Sequence, residues 1–268
     1  MLGSIAGDIA GSVYEYGCPK RKDLDLFGAD ATYTDDTVLS IAVADWLMSG
    51  GDPATYLRRY ARRYPDAGYG GGFKTWMTGN SERGYGSLGN GSAMRVGPVA
   101  FAARTLDDAL DLARRSAEPT HDHPEGIKGA QATATAMWLA RHGADAGTIR
   151  HEVSLRFGYD MRPSVDAIRP GYGYDVTCPG TVPPALICAL EATDYEDAVR
   201  NALSLGGDAD TLACIAGGLA EILFGLPNSL ARAAETRLPA DLRKVVRRFR
   251  GRFVAPGLAA RLAVWLGR

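Results

Sequence analysis

The amino-acid sequence predicts an all-α fold on three observations. Apolar residues recur at spacings of three and four along most of the 268-residue chain, which is the pattern of helices that bury one face. Strand-like alternation is nearly absent, and capping signals precede several of the periodic runs. With 46% hydrophobic residues, the chain can bury one substantial core, so we expect a single domain spanning residues 1–268.

The individual helices are predicted in chain order from these signals. An apolar stripe marks the first helix, formed by Leu2, Ile5, Ile9 and Val13. A second periodic run begins at Val38, and Asp52-Pro53 places a capping side chain before a proline at the first helical position. Thr193 to Glu196 has the form of a capping box. Further helices are predicted at about 106–117, 125–142, 145–157, 182–192, 195–204, 211–224, 239–251 and 257–266.

Composition narrows the classes of function. A formal net charge of −1 gives no broad electrostatic reason to expect nucleic acid or a membrane as the main partner, and the basic run at 243–252 is typical of a solvated helix face. The 4 cysteines include no C-x-x-C pair, so a reducing cytoplasm fits best. No basic leader precedes the first apolar run, and the longest apolar stretch, 212–226, is short for a membrane span and contains Glu221.

Two acidic clusters of similar pattern each precede an apolar, helix-like run. They are Thr34-Asp35-Asp36-Thr37 and Gly207-Asp208-Ala209-Asp210-Thr211. Neighbouring aspartates repel one another unless they separate in solvent, take up protons or share a cation. Carboxylate and threonine oxygens suit Mg²⁺ or Mn²⁺. Helix capping explains either cluster alone, but two clusters of matching pattern favour a metal site.

Three glycine-rich segments are candidates for ligand contact. Residues 68–72 and 84–92 are dense in glycine, which usually marks unusual backbone angles or a close approach of the backbone to a ligand. Serine and asparagine within 86–92 can donate to phosphate oxygens, although a plain flexible loop is the alternative. The Tyr-, Pro- and Gly-rich loop at 158–181 either covers a base or sugar with its aromatic rings or packs them on the surface.

Five segments together resemble the ADP-ribosylglycohydrolase family, the group that includes dinitrogenase reductase-activating glycohydrolase and the ADP-ribosyl-acceptor hydrolases. The matching segments are Gly7 to Glu15, Thr34 to Thr37, Gly89 to Arg95, Thr120-His121 with Pro124 and Gly126, and Gly206 to Thr211. They occur in the family's order and span residues 3 to about 226. The resemblance implies a mostly orthogonal helical bundle with a dinuclear metal cleft.

The resemblance also implies a metal centre with catalytic carboxylates. Two Mg²⁺ ions, for which Mn²⁺ can substitute, would be held by Thr34, Asp35, Asp36, Asp208, Asp210 and Thr211. The catalytic set would be Glu15, Asp35 and Asp36. Glu15 would lie beside the metal centre, either orienting a metal-bound water or acting as the acid or base; a surface glutamate that ends the first helix is the alternative.

A substrate-binding set is implied in the same way. Ser87 through Arg95 would cradle a pyrophosphate, and the full set is Gly86, Ser87, Gly89, Asn90, Gly91, Ser92, Met94, Arg95, His121, Thr181 and Val182. Arg95 has the alternative of pairing with a structural carboxylate. His121 has two alternatives, a hydrogen-bonded structural role or a zinc half-site with His123.

We therefore expect a bacterial, cytoplasmic Mg²⁺-dependent hydrolase that removes ADP-ribose from an acceptor by cleaving the glycosidic bond at C1″ of the distal ribose. The acceptor is an ADP-ribosylated protein, a nucleic-acid base or a small molecule, ADP-ribose is the product, and the expected state is a monomer. A metal-dependent phosphoesterase or pyrophosphatase acting on a nucleotide-sugar ligand is the alternative enzyme. A non-catalytic ADP-ribose-binding protein is the other alternative.

Overall fold

Helices follow one another along the chain in the computed structural model, which describes residues 1–15, 17, 19–81 and 83–254. They are α1 Leu2–Gly11, α2 Asp35–Ser49, α3 Pro53–Arg63, α4 Gly71–Thr78, α5 Gly91–Met94, α6 Val99–Ala102, α7 Leu106–Ala117, α8 Pro124–Arg141, α9 Ala146–Phe157, α10 Val165–Ile168, α11 Cys178–Leu190, α12 Tyr195–Leu205, α13 Ala209–Phe224, α14 Asn228–Arg237 and α15 Ala240–Phe249, followed by a π-helical turn at Arg250–Val254. Within these described ranges the secondary structure is helical apart from one isolated β-bridge, which confirms the prediction of an all-α fold.

Most predicted helices are confirmed to within a few residues, and their capping chemistry explains the boundaries. The side chain of Asp52 accepts hydrogen bonds from the backbone N–H groups of Ala54 and Thr55 at the start of α3. Helix α11 begins four residues earlier than predicted, because Thr177 caps it by accepting from Gly180 N–H.

Other boundaries differ from prediction. Helix α1 ends at Gly11, and Val13 is 41% exposed, so Val13 was wrongly assigned to the buried stripe. The cap of α12 is Asp194, whose carboxylate accepts from Asp197 N–H, one residue later than the predicted capping box. Helices α4 and α14 and the short helices α5, α6 and α10 were not predicted. The predicted helix at 257–266 lies outside the described residues.

Helix α1 packs directly on the backbone of α13. Gly3, Gly7 and Gly11 recur at every fourth position and therefore lie on one face of α1. A Cβ atom at Gly7 would lie 2.0 Å from the carbonyl oxygen of Ala213, and one at Gly11 would lie 2.4 Å from the Cα of Asp210. Only glycine permits so close an approach, which brings α1 to the second acidic cluster.

Glu221 on α13 fixes the other end of this contact. Its Oε2 accepts hydrogen bonds from the Met1 amine at 2.5 Å and from Gly3 N–H at 2.8 Å. Buried charges are costly unless they are paired, and here both partners are shielded from solvent. The pairing therefore fixes the register of α1 along α13.

Around this helix pair the apolar side chains form one continuous buried core that draws on residues from Met1 to Phe249. Helix α2 packs on α1 and α3, and α11 and α12 pack on α13. The clusters at the starts of α2 and α13 therefore face a common space. Among the helices described, none combines the length and the apolar character needed to cross a membrane.

Candidate active site

The two acidic clusters line one cavity of about 490 Å³. All six predicted metal ligands face it, together with Glu15. The cavity is also lined by the glycine loop before α5, by His121, and by Tyr174 and Val176 from the loop before α11. The structure therefore brings together the acidic residues and most of the predicted substrate-binding residues.

The first cluster begins helix α2 and is held in place by a buried aspartate of α1. Thr34 is the N-cap of α2, and its hydroxyl accepts from Asp36 N–H at 3.3 Å. Asp8 accepts four hydrogen bonds, from the N–H and hydroxyl groups of Thr34 and Thr37, at 2.5 to 3.2 Å. Asp8 was not in the predicted ligand set; the signal that could have identified it is a lone aspartate in an otherwise apolar helix.

The second cluster begins helix α13 with a different local geometry. Gly207 has a φ of +72°, and the Asp208 side chain, at the N-cap position, makes no capping hydrogen bond. Instead Asp208 Oδ2 accepts from the side-chain amide of Asn90 at 2.6 Å. The Thr211 hydroxyl donates to Asp36 Oδ2 at 3.3 Å, so the two clusters are in direct contact.

Without a cation, this geometry opposes full ionisation of the carboxylates. Burial, followed by the charge of Asp210, raises the pKa of Asp36, and burial, followed by the charge of Asp208, raises the pKa of Asp210. Desolvation and the charges of Asp8 and Asp208 raise the pKa of Asp35 to about 8. Burial raises the pKa of Asp8 to about 6, although the hydrogen bonds from Thr34 and Thr37 partly offset it.

The donor set fits divalent cations that prefer oxygen ligands. Carboxylate oxygens of Asp8, Asp36 and Asp210 lie within 4.8 Å of one another, and so do those of Glu15, Asp208 and Asp210. The two groups share Asp210. Asp36 Oδ1 is buried and has no hydrogen-bond partner among the described residues, which is costly unless a cation or proton satisfies it. This acidic cluster can hold a metal, and its oxygen-only donors suit Mg²⁺ or Mn²⁺ better than zinc.

Glu15 lies in the turn after α1, at the edge of the acidic cluster. It is half-buried, and its Oε1 accepts a hydrogen bond from the hydroxyl of Tyr174 at 3.3 Å. Tyr174 belongs to the aromatic loop before α11 and is 55% exposed. The turn thus projects a carboxylate into the cavity, in contact with the loop whose aromatic rings were predicted either to cover a base or sugar or to pack on the surface.

The glycine loop is attached on both sides to neighbouring segments. Gly89 forms an antiparallel bridge with Thr177, and Asn90 N–H donates to Val176 O at 2.7 Å. Gly86 N–H donates to the carboxylate of Asp122 at 2.7 Å. These bonds attach the loop to the segments that precede α8 and α11.

Seven of the predicted substrate-binding residues line the cavity and four do not. Those that line it are Ser87, Gly89, Asn90, Gly91, Met94, Arg95 and His121; those that do not are Gly86, Ser92, Thr181 and Val182. Ser92 is buried and donates to Gly126 O at 2.6 Å, and Val182 is buried in the core. Thr181 instead accepts from the Asn90 amide at 3.0 Å, so it orients the residue that contacts Asp208.

Arg95 and His121 also line the cavity, and His121 lies against Gly89 and Gly91 of the glycine loop. Arg95 is fully buried, and its Nη2 donates to Ser116 O at 2.6 Å rather than to a carboxylate. No ion pair of Arg95 occurs in the described part of the chain, so its alternative prediction is wrong there. His123 is occupied at the start of α8, where its Nδ1 accepts from Glu125 N–H, which argues against a zinc half-site.

Sequence reasoning missed the aromatic side of the cavity near α4. Tyr69 and Phe73 stack with ring centroids 5.1 Å apart, and both line the cavity with Tyr85. The glycine-rich segment 68–72 leads into α4 at Gly71. Its density of glycine was the available signal, but that signal did not reveal which aromatic side chains the segment would place at the cavity.

Comparison with known proteins identifies the family of the chain. The family described as ADP-ribosylglycohydrolase matches residues 1–263. The chain belongs to the ADP-ribosylglycohydrolase family. It is 26% identical to the ADP-ribosylhydrolase ARH3 of Homo sapiens, with 90% of each chain covered. It is 29% identical to the ADP-ribosylarginine hydrolase Tri1 of Pseudomonas putida (strain GB-1), with 84% of this chain and 70% of that protein covered.

A solved structure is also similar. A chain of an ADP-ribosylglycohydrolase-related protein complex superposes with a TM-score of 0.69 at 26% identity, covering 91% of this chain and 94% of the other. The family assignment confirms the prediction of a glycohydrolase enzyme. ADP-ribosylglycohydrolases act on ADP-ribosylated substrates, so removal of ADP-ribose from an acceptor is the general activity to which the site belongs.

Proposed function

We propose that the protein is a hydrolase dependent on two divalent cations, Mg²⁺ or Mn²⁺, that cleaves the glycosidic bond at C1″ of the distal ribose of an ADP-ribosylated acceptor. The proposal is based on two sets of three neighbouring carboxylates, which share Asp210. The cavity at this acidic cluster is also lined by the glycine loop. A volume of about 490 Å³ lies within the roughly 300–1,000 Å³ of sites for small molecules.

The acidic side of the cavity suits the reacting end of the substrate. Thr34, Asp35, Asp36, Asp208, Asp210 and Thr211 are the proposed ligands. Bound cations would offset the carboxylate charge, bind ribose hydroxyls and lower the pKa of water. Asp8 accepts three hydrogen bonds at Oδ2 and one at Oδ1, all from Thr34 and Thr37, so we assign it the role of orienting the first cluster.

Glu15 is the proposed acid or base. Water adds to C1″ as the bond from C1″ to the acceptor atom breaks, and the acceptor leaves with a proton. Glu15 lies beside Asp208 and Asp210 and is anchored by Tyr174, so its carboxylate can take the proton of the attacking water. Asp35 and Asp36 complete the catalytic set, because their negative charges would hold the cations in place.

The glycine-loop side suits the diphosphate. Ser87, Gly89 and Gly91 line the cavity. The Gly89 N–H donates to Ser87 Oγ, which leaves the proton of the Ser87 hydroxyl for a phosphate oxygen, and donors of this kind bind phosphate without adding charge of their own. Asn90 lies between the two sides because its amide donates to Asp208. A ligand whose diphosphate rests on the loop would therefore place its distal ribose near the acidic residues.

A panel of substrates with Arg-, Ser- and nucleobase-linked ADP-ribose tests the proposal. We expect release of intact ADP-ribose from at least one of them in Mg²⁺ and none in EDTA. AMP or inorganic phosphate as the product would instead support the phosphoesterase or pyrophosphatase alternative. Binding of ADP-ribose without turnover of any linkage would support the non-catalytic alternative.

The setting of the reaction is part of the proposal. We propose a cytoplasmic, bacterial enzyme that acts as a monomer on a protein, nucleobase or small-molecule acceptor. Cys178, Cys188 and Cys214 are buried free thiols, which is compatible with a reducing compartment. Sedimentation of the purified protein at micromolar concentration tests the monomeric state, since a dimer would sediment faster.

A further inference from the structure

The loop between α7 and α8 contains a chain of buried side chains that ends at the cavity. Arg95 Nη2 donates to the hydroxyl of Thr120 at 2.9 Å, and that hydroxyl is 2.7 Å from Nδ1 of His121. Arg95 and Thr120 are fully buried, and His121 is 5% exposed. This series of hydrogen bonds therefore runs from the Arg95 guanidinium through the Thr120 hydroxyl to the His121 imidazole, which borders the cavity.

The direction of these hydrogen bonds determines which histidine nitrogen carries the proton. A guanidinium can only donate, so it occupies a lone pair of the Thr120 oxygen. The single proton of the Thr120 hydroxyl then needs an acceptor. Among the described residues, the only acceptor bonded to this hydroxyl is Nδ1 of His121. Nδ1 therefore accepts, and the proton of the neutral ring is on Nε2.

The environment of the ring keeps it neutral. Burial, followed by the charge of Arg95, holds the pKa of His121 well below its usual range. Arg95 itself has no carboxylate partner within the described residues, and its Nε and Nη1 are buried without hydrogen bonds. Tyr85, whose ring centroid is 6.1 Å from that of His121, is the other titratable group against the ring and is neutral at physiological pH.

The Nε2 atom faces the glycine loop. A Cβ atom added at Gly91 would lie 3.0 Å from His121 Nε2, and one added at Gly89 would lie 3.5 Å from it. No described protein group accepts a hydrogen bond from this nitrogen. An N–H donor is thus presented beside the backbone N–H groups that border the cavity, where an oxygen of an anionic group would be its natural partner.

We propose that Thr120, anchored by Arg95, is a positioning residue that holds His121 as the Nε2–H tautomer, so that His121 donates to an anionic oxygen of the ligand on the glycine loop. The ligand part rests on the proposed function. The tautomer part concerns the free protein. A histidine with the proton on Nδ1 would present a lone pair to that oxygen and would repel it.

Ring-nitrogen NMR on the free protein measures the tautomer directly. In ¹⁵N-labelled protein at neutral pH, we expect His121 to show a pyridine-type shift for Nδ1 and a pyrrole-type shift for Nε2. His121→Gln assigns the signals among the 4 histidines. A pyrrole-type Nδ1 in the wild-type protein would overturn the proposal.

Substitution of Thr120 separates positioning from packing. Thr120→Val keeps the shape but removes the hydroxyl, so we expect the ring shifts to change and the affinity for ADP-ribose to fall about tenfold, the scale of one hydrogen bond. Thr120→Ser should restore both. Thr135→Val is the matched control, because Thr135 is equally buried and its hydroxyl has no partner in the part of the chain that the structure describes; it should change neither.

The outcomes distinguish this proposal from the proposed function. Unchanged ring shifts and unchanged affinity in Thr120→Val would refute the positioning role. If wild-type protein failed to bind ADP-ribose at all, the proposed function would be contradicted. The ring shifts of the free protein would still decide the tautomer.

Discussion

The two acidic clusters are similar in sequence but make different hydrogen bonds at the starts of their helices. In the first cluster, Thr34 caps α2, and Asp8 accepts hydrogen bonds from the hydroxyl groups of Thr34 and Thr37. The two threonines of this cluster therefore hold the start of the helix in place. In the second, Asp208 is at the N-cap position of α13 without a capping bond, and its carboxylate is held by Asn90. Helix capping and proposed cation binding therefore fall to the same residues in the first cluster, whereas in the second cluster the Asp208 carboxylate has no capping role.

The largest expected effect is at the carboxylate that both groups share. Asp210→Asn removes one charge from each proposed cation site, so we expect turnover to fall at least about a thousandfold and affinity for Mn²⁺ to fall at both sites. Asp36→Asn and Asp208→Asn should each weaken mainly one site. Calorimetric titration with Mn²⁺ measures the stoichiometry, and the exposed Asp166→Asn serves as control. Near-normal turnover of Asp210→Asn at limiting Mg²⁺ would contradict the shared ligand.

Glu15 tests whether a carboxylate outside both clusters performs the proton transfer. Glu15→Gln keeps the size of the side chain but removes its basicity, so we expect kcat to fall about a hundredfold with only a modest loss of ADP-ribose affinity. Steady-state kinetics at saturating Mg²⁺ provide the measurement. Tyr174→Phe, which removes the hydroxyl that donates to Glu15, should have a smaller effect. An unchanged kcat in Glu15→Gln would leave proton transfer to the clusters alone.

The pH dependence of the free energy of unfolding should show the cost of ionising the buried carboxylates when no cation is bound. The pKa values of Asp8 and Asp35 in the folded protein, about 6 and about 8, exceed the ordinary value of 3.8. The folded state therefore binds more protons than the unfolded state, and without metal its stability falls as pH rises through 6 to 8. Saturating Mg²⁺ should abolish this fall, because cations replace the protons. Thermal melts in EDTA and in Mg²⁺ between pH 5.5 and 8.5 test this; equal slopes would contradict it.

The smallest expected effect distinguishes the caps. In EDTA, Thr34→Ala should lower the free energy of unfolding by at least about 1 kcal/mol, since it removes the N-cap of α2 and the hydroxyl that donates to Asp8. Asp208→Asn should lower it less, because Asp208 makes no capping bond, the new side chain can still accept from the Asn90 amide, and the substitution reduces the repulsion with Asp210. Urea titration of both variants gives the comparison. An equal loss in both would mean that the clusters cap alike.

How much of this followed from sequence depends on the range of each interaction. Helices such as α7 and α8 are set by local periodicity and caps, so their bounds were predicted closely. The acidic pattern and family resemblance located the proposed ligands. The role of Asp8 was missed because it depends on contact between α1 and α2, and the stack of Tyr69 on Phe73 because it depends on a turn that composition does not specify.

The contact between the two acidic clusters has a consequence for the stability of the whole chain. The hydrogen bond from Thr211 to Asp36 joins positions 175 apart, and cations bound between the clusters would act as a removable cross-link closing that long loop. Closing a long loop restricts the unfolded chain, and a ligand specific to the native state adds its binding free energy. A chelator should thus make the whole molecule, rather than the cavity alone, easier to open, and proteases should detect this as faster cleavage far from the acidic residues.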